Sequence, residues 1–393
     1  MSKKMYSLLA LLVVASFILA ACGPAPEPTA APEEATEAPV AEEATEAPVA
    51  AECAYKIGFV TDVGKLRDQS FNEAGWNGVE QAAATLGLGE DCIAYIETAD
   101  SADYIPNIES FISEGFTIIV TSGFAMGAAT HQAGIDNPDI FFIGTDQTQT
   151  TPDFAPELLP NVTGLIFHED VSGFLAGAVA GLMTESNVVG SVLGCPFIPP
   201  VARFEVGYYN GAKYVNPDAT IRDIYHPGSL DVCFVDPEWA AETAGSLIAE
   251  GVDVLFAAGG LTGNGGLIAG CNAGIKVIGV DVDQFITLPE VEDCILTSAT
   301  KDLTDSVAGL IIAATDGTFP GGEVFGPATL APFHNFEDVI PQDVKDQLAE
   351  ISALITSGEI DPCAPFTLPN GDPSNAGTFC TPVTVTGNPY VAP

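Results

Sequence analysis

From residue 55 to residue 358 the chain alternates short apolar runs with segments whose apolar positions recur every three or four residues. The first kind predicts buried strands and the second helices packed by one face. Strands are expected at Tyr55–Thr61, Ile93–Glu97, Thr117–Thr121, Ile140–Gly144 and Val162–Phe167. Between them, helical spacing runs from Phe71 to Leu86, with Gly87 as its stop, from Ile105 to Glu114 and from Met126 to Gly134. A small-residue helix, Gly173–Met183, leads to a second series, with strands at Val188–Leu193, Thr220–Tyr225, Val254–Ala258, Val277–Val280 and Cys294–Ala299. Helices are expected there at 203–214 and 238–250. Near-continuous apolar strands alternating with helices indicate parallel sheets covered on both faces, so the expected class is α/β, with two consecutive doubly wound units.

The pattern before residue 55 is different. Lys3 and Lys4 precede an apolar stretch, Leu8–Leu19, and then Leu19-Ala20-Ala21-Cys22. That order reads as a secretory signal over residues 1–21 with a lipoprotein cleavage box, in which the Cys22 thiol is acylated and anchors the chain. Residues 22–52 are rich in Ala, Pro, Glu and Thr and contain two copies of Glu-Glu-Ala-Thr-Glu-Ala-Pro-Val-Ala, from Glu33 and Glu42. Such a segment builds no core and serves as an extended tether. The roughly 340 residues beyond it exceed one ordinary core and suggest two lobes. The expected bounds are 53–167, with a return at about 282–318, and 168–281, with a return at about 319–358. Residues 359–393 form a Pro-, Gly- and Thr-rich tail.

Charge narrows the partners. Fifty-three acidic residues against 11 basic ones give a net charge of −42. A surface so negative repels nucleic acid and anionic lipid, so membrane association is left to the acyl group. Nine cysteines include Cys22, and the remaining eight in an exported chain point to disulfides. Cys53 and Cys92 each stand just before a predicted strand, which places them together if those parallel strands are neighbours. Proximity in sequence pairs Cys195 with Cys233, Cys271 with Cys294 and Cys363 with Cys380. The four histidines are scattered and no Cys-x-x-Cys occurs, so no metal site or cofactor is expected.

In open parallel sheets ligands bind beyond the carboxyl ends of the strands. The residues found there are Thr61-Asp62-Val63-Gly64 with Asp68-Gln69-Ser70-Phe71-Asn72, Ser122-Gly123-Phe124, Gly144-Thr145-Asp146, Gly259-Gly260, Asp281-Val282-Asp283 and the run into Lys301. An aromatic such as Phe71 can stack on a purine while Asp62 accepts from its edge. Asp281 can accept from vicinal hydroxyls, and Lys301 can donate to one while balancing the carboxylate. Each also has a plainer role. Phe71 and Phe204 suit helix starts packed on a core, Asp62 could cap a turn, and Asp283 could take the part of Asp281.

Asp68-Gln69-Ser70-Phe71-Asn72-Glu73-Ala74-Gly75-Trp76, Gly173-Phe174-Leu175-Ala176-Gly177, Arg203-Phe204-Glu205-Val206-Gly207-Tyr208 and Val277-Ile278-Gly279-Val280-Asp281-Val282-Asp283-Gln284 with Lys301 give this chain its family likeness. It resembles the basic membrane protein family of substrate-binding lipoproteins, whose best-known members are purine nucleoside receptors of ABC transporters. The resemblance implies a type I periplasmic-binding-protein fold with three hinge crossovers, and a nucleoside held by Asp62, Phe71, Asn72, Phe124, Asp146, Phe204, Gly260, Asp281 and Lys301. It further implies a monomer on the extracytoplasmic face that delivers its ligand to permease subunits. The segments 194–200 and that after Pro227, which contains Cys233, depart from the family pattern near the second lobe's rim.

A simple sugar is the competing ligand, and a surface sensor the competing partner. Gly259–Gly266 lacks the Lys-Ser/Thr of a P-loop and reads instead as a segment that lets backbone approach a sugar. No Gly-x-Ser-x-Gly elbow or nucleophile-serving histidine is present, so a nucleoside hydrolase is the weaker alternative and no catalytic residue is assigned.

Overall fold

The computed structural model describes residues 53–150 and 155–375; the signal segment, Cys22, the tether and Cys380 lie outside them. The chain first builds β1 (Ile57–Val63), α1 (Phe71–Leu86), β2 (Ile93–Thr98), α2 (Tyr104–Ser113), β3 (Ile118–Ser122), α3 (Gly127–Asp136), β4 (Phe141–Thr145) and β5 (Val162–Phe167). It then passes through α4 (Glu169–Met183) into β6 (Val188–Leu193), α5 (Pro199–Val215), β7 (Thr220–Tyr225), α6 (Pro237–Ala249), β8 (Val254–Ala258), α7 (Gly260–Asn272), β9 (Lys276–Asp281), α8 (Gln284–Thr287) and β10 (Ile295–Lys301). The remaining elements are α9 (Leu303–Asp316), β11 (Gly322–Gly326), β12 (Ala328–Leu330) and α10 (Gln342–Ser357).

Two six-stranded sheets result, ordered β11-β5-β4-β3-β1-β2 and β12-β10-β9-β8-β6-β7. The first is parallel throughout. The second is parallel except where β12 runs against β10. β1 and β3 are buried along their whole length, as strands covered by helices on both faces must be. In each sheet the order reverses, at β1/β3 and at β6/β8, and such reversals open a crevice at the carboxyl ends.

The chain crosses between the sheets three times: after β5, after β10, and between β11 and β12. These crossings correct the expected return segments. Residues 295–301, placed with the first lobe, pair with β9 in the second sheet, and the return begins with α9, whose Leu303, Val307 and Ile311 join the first core. Residues 322–326, placed with the second lobe, pair with β5 in the first sheet. Both stretches follow the sheet edge that offers them backbone partners, which apolar pattern alone does not specify.

The glycine-rich stretch after β8, expected to let backbone approach a sugar, forms the helix α7, and its small residues let it pack tightly on its neighbours; a Cβ on Gly265 would lie 2.2 Å from the carbonyl of Pro237 at the start of α6. The same device joins α4 to α5, where a Cβ on Gly177 would lie 1.9 Å from the Tyr208 carbonyl, and one on Gly211 1.8 Å from the Phe174 carbonyl. The helix pair that carries the chain into the second lobe is thereby held at backbone contact.

Three disulfides staple these units: Cys53–Cys92, Cys195–Cys233 and Cys271–Cys294. The first sits where the starting ends of β1 and β2 lie side by side, with Ile57 opposite Ile93. Cys363 is disulfide-bonded as well.

Candidate functional site

A cleft of about 650 Å³, its mouth included, lies between the carboxyl ends of the two sheets. Its first wall comes from the ends of β1, β3 and β4 and the start of α1, and carries Asp62, Lys65, Asp68, Phe71, Asn72, Phe124 and Asp146. Its second wall comes from the start of α5, the loop before α6, and the ends of β8 and β9. It carries Ile198, Val201, Phe204, Phe234, Gly260 and Asp281. Lys301, the last residue of β10, stands at the crossing between them. All nine residues expected from the sequence therefore face one space.

Lys301 organises the floor. Its Nζ lies 2.7 Å from Asp146 Oδ2, 3.5 Å from Asp281 Oδ1 and 3.6 Å from Glu169 Oε1. It also lies 4.6 Å from the centre of the Phe71 ring, within cation–π range. Burial pulls the amine's pKa down, but Asp146, Asp281 and Glu169 outweigh it and hold it well above the usual lysine value. Arg203 completes the network through a 2.6 Å bond from Nε to Glu169 Oε2. Burial alone would raise Glu169, yet Arg203 and Lys301 bring it below the ordinary carboxylate value. Asp146 is pushed up to about 7, chiefly by burial, with Lys301 opposing. Asp146 and Asp281 both adopt left-handed backbone, φ 60° and 64°, a conformation that non-glycine residues hold only when their surroundings fix it.

The first wall is arranged by backbone. Asp68 Oδ1 accepts from the N–H of Ser70 and Glu73, and its Oδ2 from that of Asn72, so it satisfies the open first turn of α1. Burial raises Asp68 to about 7 against those bonds. Ser70 Oγ donates to Asp281 Oδ2 at 2.7 Å, which ties this turn to the opposite wall. Further bonds cross beside it, from Asn264 Nδ2 to the Asp68 carbonyl at 2.8 Å and from Thr287 Oγ1 to the Gln69 carbonyl at 2.8 Å. Asn72 Oδ1 accepts from Ser122 Oγ at 2.8 Å, which fixes the amide. Asp62 Oδ1 accepts from the Val63 N–H and from the Tyr104 hydroxyl, and burial still raises it to about 6.

Some residues serve two ends. Phe204 lines the cleft and belongs to the second core, packed against Phe256 at 6.0 Å. Asp283 is turned to His334, 2.6 Å away, and does not line the cleft. Sequence reasoning passed over Asp68, Glu169 and Phe234 as site residues. Asp68 was visible as the cap three residues ahead of a helix start. Glu169 carried no signal, because its partners are 34 and 132 positions away in the chain. Among the described residues, the group with metal-ligand spacing is Cys53, Asp91 and Cys92, and its two sulfurs are bonded to each other.

Two α/β lobes with a cleft at the strand ends are also the architecture of solved solute-binding proteins. The chain matches a solute-binding protein of an ABC transporter system from Aeropyrum pernix over 78% of its length and 92% of that chain, with a TM-score of 0.68 at 24% identity. It matches another from Conexibacter woesei with a TM-score of 0.61 at 25% identity, covering 78% and 98%.

Residues 55–326 match the family described as ABC transporter substrate-binding protein PnrA-like, and the chain belongs to that family. Among its relatives is the CD4+ T-cell-stimulating antigen of Listeria monocytogenes, 31% identical over 78% of this chain and 87% of that protein. The ABC transporter nucleoside-binding protein BmpA of Lactococcus lactis is 28% identical, over 78% and 88%. The protein is thus a substrate-binding component of an ABC transporter. No described helix is long and apolar enough to cross a membrane.

Proposed function

We propose that the protein captures a neutral nucleoside, purine preferred, between its lobes, and is held on the extracytoplasmic face by an acyl group on Cys22. The observation that carries this is that aromatic rings and carboxylates line one cleft around a single lysine, whose Nζ lies 2.7 Å from Asp146 and 4.6 Å from the centre of the Phe71 ring. Phe71 offers one ring face to Lys301 and the other to a base. Asp62, ionised above about pH 6, accepts from base N–H groups, and the fixed Asn72 amide lies beside it. Phe124 and Phe234 extend the apolar cover, and Gly260 lets backbone come close. Asp281 accepts from ribose hydroxyls while Lys301, already held by Asp146, donates to one. The nucleoside-binding name of the Lactococcus lactis relative supports the same ligand class.

Closure over the ligand then creates the surface that permease subunits read, with the tether giving reach, and the receptor acts as a monomer. A thermal-shift panel of inosine, guanosine, adenosine and ribose tests the assignment. Stabilisation follows RT ln(1 + [L]/Kd), so nucleosides at about 100 times Kd add about 2.7 kcal/mol. A shift with ribose and none with nucleosides would move the assignment to sugars. Acylation is tested by mass spectrometry of the native protein, with Cys22→Ser as the unanchored control.

A further inference from the structure

The segment between β7 and α6, residues 226–236, is bound to the end of β6 by Cys195–Cys233, both cysteines fully buried. It reaches the cleft in three ways. Phe234 lines the cavity, and its carbonyl accepts from the Thr262 N–H at 3.3 Å. Val235 approaches Gly64 of the opposite wall. Asp231 Oδ1 accepts from the backbone N–H of Ser101, in the first lobe, at 3.1 Å. Asp231 also stands near the Tyr104 hydroxyl that donates to Asp62; burial raises that hydroxyl's pKa first, then Asp62, with a further push from Asp231.

Inside the segment the bonds are short-range: Gly228 N–H to His226 Nδ1, Cys233 N–H to the Ser229 carbonyl and Val235 N–H to the Val232 carbonyl. With no strand or helix of its own, it is held by the disulfide, by the Thr262 bonds to Phe234 and Asp236, by the His226 N–H on the Leu193 and Gly194 carbonyls, and by Leu230 and Phe234 packed on the second core.

We infer that the Cys195–Cys233 disulfide is a positioning device for ligand capture, holding Phe234 in the cavity wall and Asp231 across the cleft on Ser101. Its loss then loosens the grip on ligand more than it weakens the fold. This rests on the cleft being the binding site proposed above.

The molecule supplies its own control. Cys53–Cys92 closes a loop of 39 positions and Cys195–Cys233 one of 38, so chain-entropy effects on the unfolded state match. Yet Cys53–Cys92 lies at the starting ends of β1 and β2, away from the cleft. The experiment compares full-length Cys195→Ser/Cys233→Ser with Cys53→Ser/Cys92→Ser, measuring thermal stability, the inosine off-rate and amide exchange at Ser101. Both variants lose similar stability, but the first releases inosine about tenfold faster while the second changes less than about twofold. Ser101 exchange quickens in the first alone.

Equal off-rates and equal Ser101 protection in the two variants would overturn the inference. If the parent binds no inosine, the nucleoside reading falls and Ser101 exchange alone decides the clasp. Should the Cys195 variant not fold, Asp231→Ala, with the disulfide intact, carries the test. It is expected to raise the off-rate about threefold and speed Ser101 exchange at unchanged melting temperature, and an unchanged off-rate and exchange rate would refute the clasp.

Discussion

The two walls of the cleft are built on opposite principles. The first wall sets Asp62, Lys65, Asp68, Asn72 and Asp146 beside the rings of Phe71 and Phe124, and most of its polar groups are fixed by backbone or side-chain bonds from a neighbouring turn. The second wall is nearly all apolar, with Ile198, Pro200, Val201, Phe204, Phe234, Leu261 and Val280, and Asp281 as its one charged residue. A preorganised polar surface sets orientation, because its groups need no rearrangement to bond a ligand. An apolar surface that closes over it removes water and strengthens those bonds.

Breaking the joint between the walls has the largest effect. Lys301→Met leaves Asp146, Asp281 and Glu169 without their shared cation, and unfolding in urea should show a loss of about 3–5 kcal/mol. Asp281→Asn keeps the shape but weakens two charge-assisted bonds to ribose, so calorimetry should show inosine Kd rising about 100-fold. Phe71→Ala removes the stacking face and should weaken inosine by about tenfold to 100-fold at little cost in stability, because the ring is only partly buried. Val201→Ala, on the apolar wall, should weaken all nucleosides about threefold without changing their rank order, whereas Asp62→Asn should change the rank.

Changes in pH separate the walls more gently. Burial raises Asp62 to about 6 and Asp68 and Asp146 to about 7 from an ordinary 3.8. The folded state therefore binds these protons more tightly than the unfolded state. The stability they add is full below about pH 4 and is lost as pH rises through 6 to 7. Ligand-free protein should melt higher at pH 5.5 than at pH 8, with relief of self-repulsion acting in the same sense. Inosine affinity should run the other way, falling below about pH 6 as Asp62 takes up its proton. A melting point and an affinity that move together would contradict the assigned role of Asp62.

Much of this was legible in the sequence where a local pattern had a local cause. β5, β6, β7 and β8 begin and end where their apolar runs do, and α1 spans Phe71–Leu86 because Gly87 stops it in left-handed backbone. The position of site residues just past strand ends follows from the parallel topology. What the sequence hid depends on distant partners. The glycines of α7 gain their purpose from α6, which packs against them. β11 is a five-residue strand flanked by glycines and is defined by pairing with β5, more than 150 positions earlier. Glu169 gains its meaning from Arg203 and Lys301, which no spacing in the chain connects.

Isothermal titration of the parent protein with inosine, hypoxanthine and ribose tests the central claim, that one ligand spans the base-binding and sugar-binding ends of a single cleft. The account predicts one site per chain for inosine, with an affinity at least about 100-fold above that of either fragment. Ribose binding as tightly as inosine, or inosine not binding at all, would contradict it.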